Sequence, residues 1–245
     1  MSDAFLDLPA SERGEALSFA ASESGRPPHL LEKDVMVVWA LSVLGSSGFD
    51  PHLVFKGGTS LSKAYGAIDR FSEDIDLTYD IREIAPDLVA KTKDGWPESN
   101  SQQKSWTKDI RTRLDRWVSE EVAPIFRSAI ETAKLDAKVE APGGGVLLIE
   151  YAALTTGTGY VRPRVLLKFG ARATGEPAER RTITCDVAPH VLKLVFPVAE
   201  PRVMFATRTF WEKATAIHVF CRQGRFRGGP SGPVPGRRSV RAPLV

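Results

Sequence analysis

An α+β fold is predicted by three features of this 245-residue chain. HLVF (52–55) is a short apolar run closed by Gly57-Gly58, as a buried strand entering a tight turn would be. DIDLTYD (74–80) alternates, placing Asp74, Asp76 and Thr78 on one face and Ile75, Leu77 and Tyr79 on the other. Longer stretches with helical spacing lie on either side of both.

In chain order, LEKDVMVVWALSVLG (31–45) reads as an apolar helix with Glu32, Lys33 and Asp34 in its first turn. After the HLVF strand, TSLSKAYGAI (59–68) reads as a helix that Thr59 or Ser60 is placed to cap. Residues 85–105 are polar and expected to be loop. Trp106, Ile110, Leu114, Trp117, Val118, Val122 and Ile125 then fall at helical spacing, with Pro124 expected to kink or divide that helix. Trp106 and Trp117 are assigned to the core. Gly143–Gly145 closes the segment, and VLLIEYAAL (146–154) and VRPRVLLKFGA (161–171) flank TTGTGY as an antiparallel pair. TITCDV (182–187) is a further candidate strand. TFWEKATAIHVF (209–220) is a helix with Thr209 and Glu212 at capping-box spacing; its stripe Phe210, Ala214, Ile217 and Cys221 is expected to be buried.

Charge is unevenly spread. Residues 222–245 hold six arginines and no acid, so the net +3 of the chain leaves 27 basic against 30 acidic residues in the remainder. That end also holds five glycines and four prolines without apolar periodicity, a composition that cannot bury enough surface to order itself. Three parts are therefore expected: an N-terminal segment (1–27), a folded domain (28–221) and a disordered Arg/Gly/Pro-rich tail (222–245). No run is long enough to span a membrane, the start MSDAFLDLPASERGEAL is unlike a signal peptide, and two cysteines support neither a disulfide framework nor a Cys-rich zinc site. The four histidines are scattered, without HExxH or a comparable ligand pair. A cytoplasmic protein is expected.

The chemistry concentrates in LVFKGGTSLSKAYGAIDRFSEDIDL (53–77). A strand, Gly-Gly and a helix start gather unpaired backbone N–H groups where a phosphate can approach closely. The next strand sets Asp74 and Asp76 on one face, and two carboxylates that close remain ionised together if a divalent cation bridges them. Such a site suits attack at phosphorus. The Walker pattern GxxxxGK[ST] and the GxGxxG fingerprint are absent, which argues against P-loop and dinucleotide-binding folds. Each half has a plain alternative, a tight turn and a solvated strand end; their combination in this order is far rarer.

At these residues the chain resembles the AbiEii/AbiGii toxin family, nucleotidyltransferases of the polymerase-β superfamily, whose mark of a hydrophobic residue, Gly-Gly or Gly-Ser and a later D-x-D falls on Phe55, Gly57, Gly58, Asp74 and Asp76. LEKDVMVVWAL and TFWEK also look like family segments, and the likeness runs over about residues 28–220. The resemblance implies a mixed sheet flanked by helices with a partial helical C-terminal part. It implies nucleotide transfer from an NTP with Mg²⁺ or Mn²⁺, an RNA acceptor (a tRNA 3′ end where one is known), and a cognate antitoxin or a role in phage defence. Asp74 and Asp76 would bind metal and catalyse; Gly57, Gly58, Thr59, Ser60 and Ser72 would bind nucleotide; Lys213 would neutralise phosphate charge. For Ser60 a capping role competes with this, and Lys56 and Lys63 read first as exposed lysines.

Two departures stand out. The family's acidic position on a neighbouring strand is Lys168 here, and nothing after Phe220 matches the further helical stretch with its additional acid. The composition of 222–245 is what a shifted frame of a GC-rich gene encodes, so loss of the C-terminal subdomain is expected; a basic RNA-binding arm is the competing account. Two other functions are carried alongside: an impaired remnant that binds nucleotide, RNA or antitoxin without turnover, and a metal-dependent nuclease.

Overall fold

The computed structural model describes residues 3–69, 74–92, 96–155, 157 and 161–222. Its first half runs β1 (Asp3–Ala4), α1 (Ala10–Ser24), α2 (Pro28–Gly45), β2 (Leu53–Lys56), α3 (Gly57–Lys63), β3 (Asp74–Tyr79), α4 (Ile81–Ile84) and α5 (Pro86–Val89). Then come α6 (Asn100–Trp117), α7 (Ala123–Thr132), β4 (Ala137–Gly143), β5 (Val146–Tyr151) and β6 (Arg164–Gly170). The chain continues through β7 (Ala178–Arg180), β8 (Ile183–Thr184), β9 (Leu194–Val195), β10 (Val198–Ala199), β11 (Arg202–Met204) and α8 (Ala206–Arg222). Seven strands form a mixed sheet in the order β4-β5-β6-β3-β2-β11-β7. The pairs β3–β6 and β2–β11 are parallel and the others antiparallel. The architecture is α+β, with helices flanking a mixed sheet.

Strand alternation sorts the sheet into two unlike faces. Ile75, Leu77 and Tyr79 of β3 are buried beside Val165, Leu167 and Phe169 of β6, and the register pairs Ile75 with Leu167 and Leu77 with Phe169. Onto this apolar face α6 lays Trp117, which stacks on Tyr79 at 4.2 Å and meets Phe169 edge-on at 5.3 Å between ring centroids. Trp39 of α2 meets Phe126 of α7 at 6.1 Å in the same core. The opposite face of β3 carries Asp74 and Asp76, both half-buried.

Several expectations are corrected. The α2 helix begins at Pro28, whose fixed φ suits a first helical position, so Glu32, Lys33 and Asp34 fall in its second turn and are all buried. Each is satisfied at a distance in sequence that no local pattern reveals. Glu32 accepts from the amides of Leu154 (2.8 Å) and Thr155 (3.2 Å), and Lys33 Nζ donates to the Arg162 carbonyl at 3.2 Å. Asp34 accepts from the Asp186 amide at 2.6 Å. The expected loop at 85–105 contains α5 and the start of α6, capped by Ser99, whose hydroxyl accepts from the Gln102 amide at 3.2 Å. At Pro124 the helix is divided as its sequence predicts, and the device is a π-turn, Val118–Val122, that leads into α7 with the proline in its first turn, where its missing donor is not needed. The β4 strand carries no sequence signal, because its residues at the sheet edge are at most half-covered and form no apolar run.

The largest difference lies in α8. Its expected buried stripe is open: Phe210 is 59% exposed and Ile217 55%, and Cys221 is exposed too. Periodicity reveals an apolar face but not what covers it, and no described residue covers this one. The α1 helix packs on α2 through buried Leu17 and Ala20. The expected tail (222–245) lies outside the described residues apart from its first residue.

The Leu167 side chain is wholly buried at the centre of the sheet. Leu167→Ala is expected to lower stability by about 2–5 kcal/mol, read as a reduced urea midpoint; an unchanged midpoint would contradict this placement of the core.

Candidate active site

At the end of β2 the chain turns directly into α3, and Gly57 adopts φ +86°. A side chain there is excluded by space as well as by conformation. A Cβ on Gly57 would stand 3.0 Å from Asp76 Cβ and 3.1 Å from Asp76 Cγ, with a carboxylate oxygen closer still. Glycine therefore lets the Asp76 carboxylate lie against the first turn of α3, whose leading amides have no partner within the helix.

Thr59 and Ser60 do not cap α3. The helix starts at Gly57 with Lys56 in the cap position and no side-chain cap. The Thr59 hydroxyl donates to the Asp74 carbonyl oxygen, and the Ser60 hydroxyl donates to the Gly57 carbonyl at 2.9 Å. Both side chains are buried and brace the turn, leaving backbone N–H groups as what it can offer a ligand. Ser72 lies outside the described residues.

Across the β3–β6 pairing, Lys168 stands opposite Asp76, and its Nζ bonds Asp74 Oδ2. The two side chains are 44% and 37% exposed, so this ion pair sets local charge more than it adds stability. Burial pushes the Asp76 carboxyl above the ordinary aspartate range; the Lys168 ammonium opposes the shift, Asp74 reinforces it, and Lys56 and Lys213 oppose it further. Lys213 is thus within electrostatic reach of Asp76 while remaining exposed.

Glu212, which has capping-box spacing from Thr209, links α8 to the residue before the glycine turn. The helix begins earlier, at Ala206, and the buried Thr209 hydroxyl has no hydrogen-bond partner among the described residues. Glu212 instead pairs with Lys56 at 3.3 Å and with Arg208 at 3.5 Å. Lys63 is also reassigned. It is neither exposed nor available for phosphate: its Nζ sits 2.6 Å from Asp34 Oδ1 and 2.7 Å from Asp186 Oδ1, and it is 10% exposed. Arg26 pairs with the other oxygen of Asp186. This network fastens α2, α3 and the segment after β8 together; a lysine following Gly-Gly gave no signal of it, because its partners lie far away in sequence.

Asp74 and Asp76 supply hard oxygen donors of the kind Mg²⁺ takes as one or two carboxylates, with substrate phosphates and water completing the shell. Among the described residues no group of three or more His, Cys, Asp or Glu side chains gathers as a metal site. With Lys168 held on Asp74, the donor set fits one divalent cation shared with a phosphate, and does not fit a cation held by protein alone.

Compared with known proteins, residues 39–228 match the family model described as nucleotidyl transferase AbiEii toxin, type IV TA system. No curated protein matches the chain. The solved structures similar to it include MenT4, the nucleotidyltransferase toxin Rv2826c from Mycobacterium tuberculosis H37Rv, at 18% identity and a TM-score of 0.46. That likeness covers 86% of this chain and 60% of the MenT4 chain.

Because its folded pKa is raised, Asp76 contributes stability that is complete below the ordinary aspartate range and lost as pH rises through the folded value. The ionised carboxylate is then a destabilising feature at neutral pH. Asp76→Asn is expected to raise the melting temperature at pH 7 in chelator, with the gain shrinking as the medium is acidified. A variant that melts at or below the parent at pH 7 would contradict this.

Proposed function

The chain belongs to the AbiEii nucleotidyltransferase toxin family, and on that premise we propose that it transfers a nucleotide from an NTP to the 3′-hydroxyl of an RNA, with tRNA as the first acceptor to test. The observation that carries this reading is the contact of Asp76 with the side-chain-free turn at Gly57, which sets a carboxylate and a row of amides on one point. In this reading the Gly57, Gly58, Thr59 and Ser60 amides receive the triphosphate, and Asp74 and Asp76 hold Mg²⁺ or Mn²⁺. When bound, the cation stabilises negative charge on the phosphate oxygens.

The protein's own share is positioning and charge. Buried Thr59 and Ser60 hold the turn rigid against β3, so its amides need no reorganisation when charge develops. Lys213 neutralises the triphosphate from α8, which the Lys56–Glu212 pair fixes beside the turn. Lys168 restrains Asp74, directing it within the face. The RNA 3′-oxygen attacks the α-phosphorus, the bond to the bridging oxygen breaks, pyrophosphate leaves and the hydroxyl proton passes to water. An antitoxin partner and a cytoplasmic site of action accord with this reading; none of the described helices is long and apolar enough to cross a membrane.

One observation favours a second reading. The Lys168–Asp74 ion pair occupies a carboxylate that metal would need, as expected of a remnant that binds nucleotide, RNA or antitoxin without turnover.

Incubation with each labelled NTP, Mg²⁺ and total tRNA separates these. Transfer of label to RNA is expected, falling at least about a hundredfold in Asp76→Ala. NTP binding without transfer would contradict the transferase and support the remnant; RNA shortened without NTP would point to a nuclease.

A further inference from the structure

A cavity of about 640 Å³ opens beside the candidate site, between α6, α8 and the residues after β6. Thr78 and Lys56 belong to its wall. Thr78 lies two residues beyond Asp76 on the same strand, hence on the same face and about 7 Å away along it. Thr78 and Lys56 thus bring the cavity's wall up to the face that bears the two aspartates, which do not themselves line it.

Its charge is one-sided. Lys56, Arg111, Arg172 and Arg208 line it against one carboxylate, Glu212. Glu212 is already taken up by Lys56 and Arg208, at 3.3 and 3.5 Å. Arg111 and Arg172 remain, and among the described residues no carboxylate pairs with either. Burial, then the neighbouring charge of Arg111, holds the Arg172 guanidinium below its ordinary value. Two like charges brought together in a recess repel, and an anion between them removes the repulsion. Outside residues 222–245 the chain carries 27 basic against 30 acidic residues, so this concentration of positive charge is local.

Aromatic surface lies in the same wall. Trp96 is 56% exposed and Trp211 66%, and both line the cavity. Exposed indole faces set among guanidinium forks are the two elements that hold single-stranded nucleic acid: bases stack on the rings while the forks take the phosphates.

We propose that this cavity seats the acceptor: Arg111 and Arg172 grip the last phosphodiester of a single-stranded RNA 3′ end, Trp96 and Trp211 stack its bases, and the 3′-hydroxyl is thereby brought to the Asp74–Asp76 face. The assignment rests on the transferase reading for its direction, but the RNA-binding claim is testable without turnover. The triphosphate seat at Gly57 and Gly58 is separate, so NTP and RNA affinities respond to different substitutions.

The test uses the full chain, a short unstructured RNA with a fluorescein at its 5′ end and a free 3′-hydroxyl, and a fluorescent NTP analogue, each followed by anisotropy. Arg111→Ala and Arg172→Ala are each expected to weaken RNA binding about tenfold and to make its salt dependence shallower by about one phosphate contact. NTP-analogue affinity and melting temperature should stay at parent values, and Trp96→Ala should weaken RNA binding in the same sense. RNA affinity left unchanged by both arginine substitutions would overturn the proposal, because binding would then reside elsewhere, the arginine-rich end included. Equal losses for NTP and RNA would also overturn it, since the cavity would then be a nucleotide seat. Arginine-dependent RNA binding without label transfer would uphold this site while removing the transferase reading; transfer that is lost in Asp76→Ala but insensitive to both arginines would do the reverse.

Discussion

The site depends on one close approach: the Asp76 carboxylate lies where a side chain on residue 57 would have to be. A glycine with positive φ satisfies both the sharp exit from β2 and this contact. From it follow the position of the α3 amides, the bracing of the turn by Thr59 on the β3 backbone, and the half-burial of a carboxylate on the face of β3 opposite Ile75 and Leu77. Any larger residue would separate the turn from the strand and leave two ordinary features in place of a site.

Charge balance is the second constraint. Two aspartates are placed among Lys168, Lys56 and Lys213, yet burial still dominates and holds Asp76 above the usual range. Neutralisation by lysine at one aspartate and strain at the other leaves a centre unevenly prepared for a cation: Asp74 is already paired and Asp76 is not relieved. The arrangement favours a cation that arrives with phosphate, because only then are both the metal shell and the excess positive charge of the lysines satisfied.

Much of this could be read from the sequence wherever the signal was local. The alternation in DIDLTYD placed Asp74 and Asp76 on one face, and the Gly-Gly turn marked the end of β2. The pair β5–β6 was legible from its apolar runs, and Trp106 and Trp117 from helical spacing. What escaped was set by partners remote in sequence. Lys63 looked like a surface lysine until Asp34 and Asp186 came within 2.7 Å. Glu212 looked like a cap and proved to be an anchor for Lys56. The stripe of α8 is apolar, as its spacing predicts, yet open, since periodicity reports a preference and burial requires a neighbour. Arg111 and Arg172 carried no motif at all; the cavity is made by a helix and a post-strand segment that meet only in the fold.

The most direct test of the central claim is a crystal structure with Mn²⁺ and a non-hydrolysable NTP analogue, using the anomalous signal to place the metal. The account predicts one manganese bound by Asp74, Asp76 and a phosphate oxygen, with the phosphates within hydrogen-bond distance of the Gly57–Gly58 amides. Manganese and phosphates bound away from that turn, or a glycine turn and an Asp76 carboxylate found apart, would contradict it.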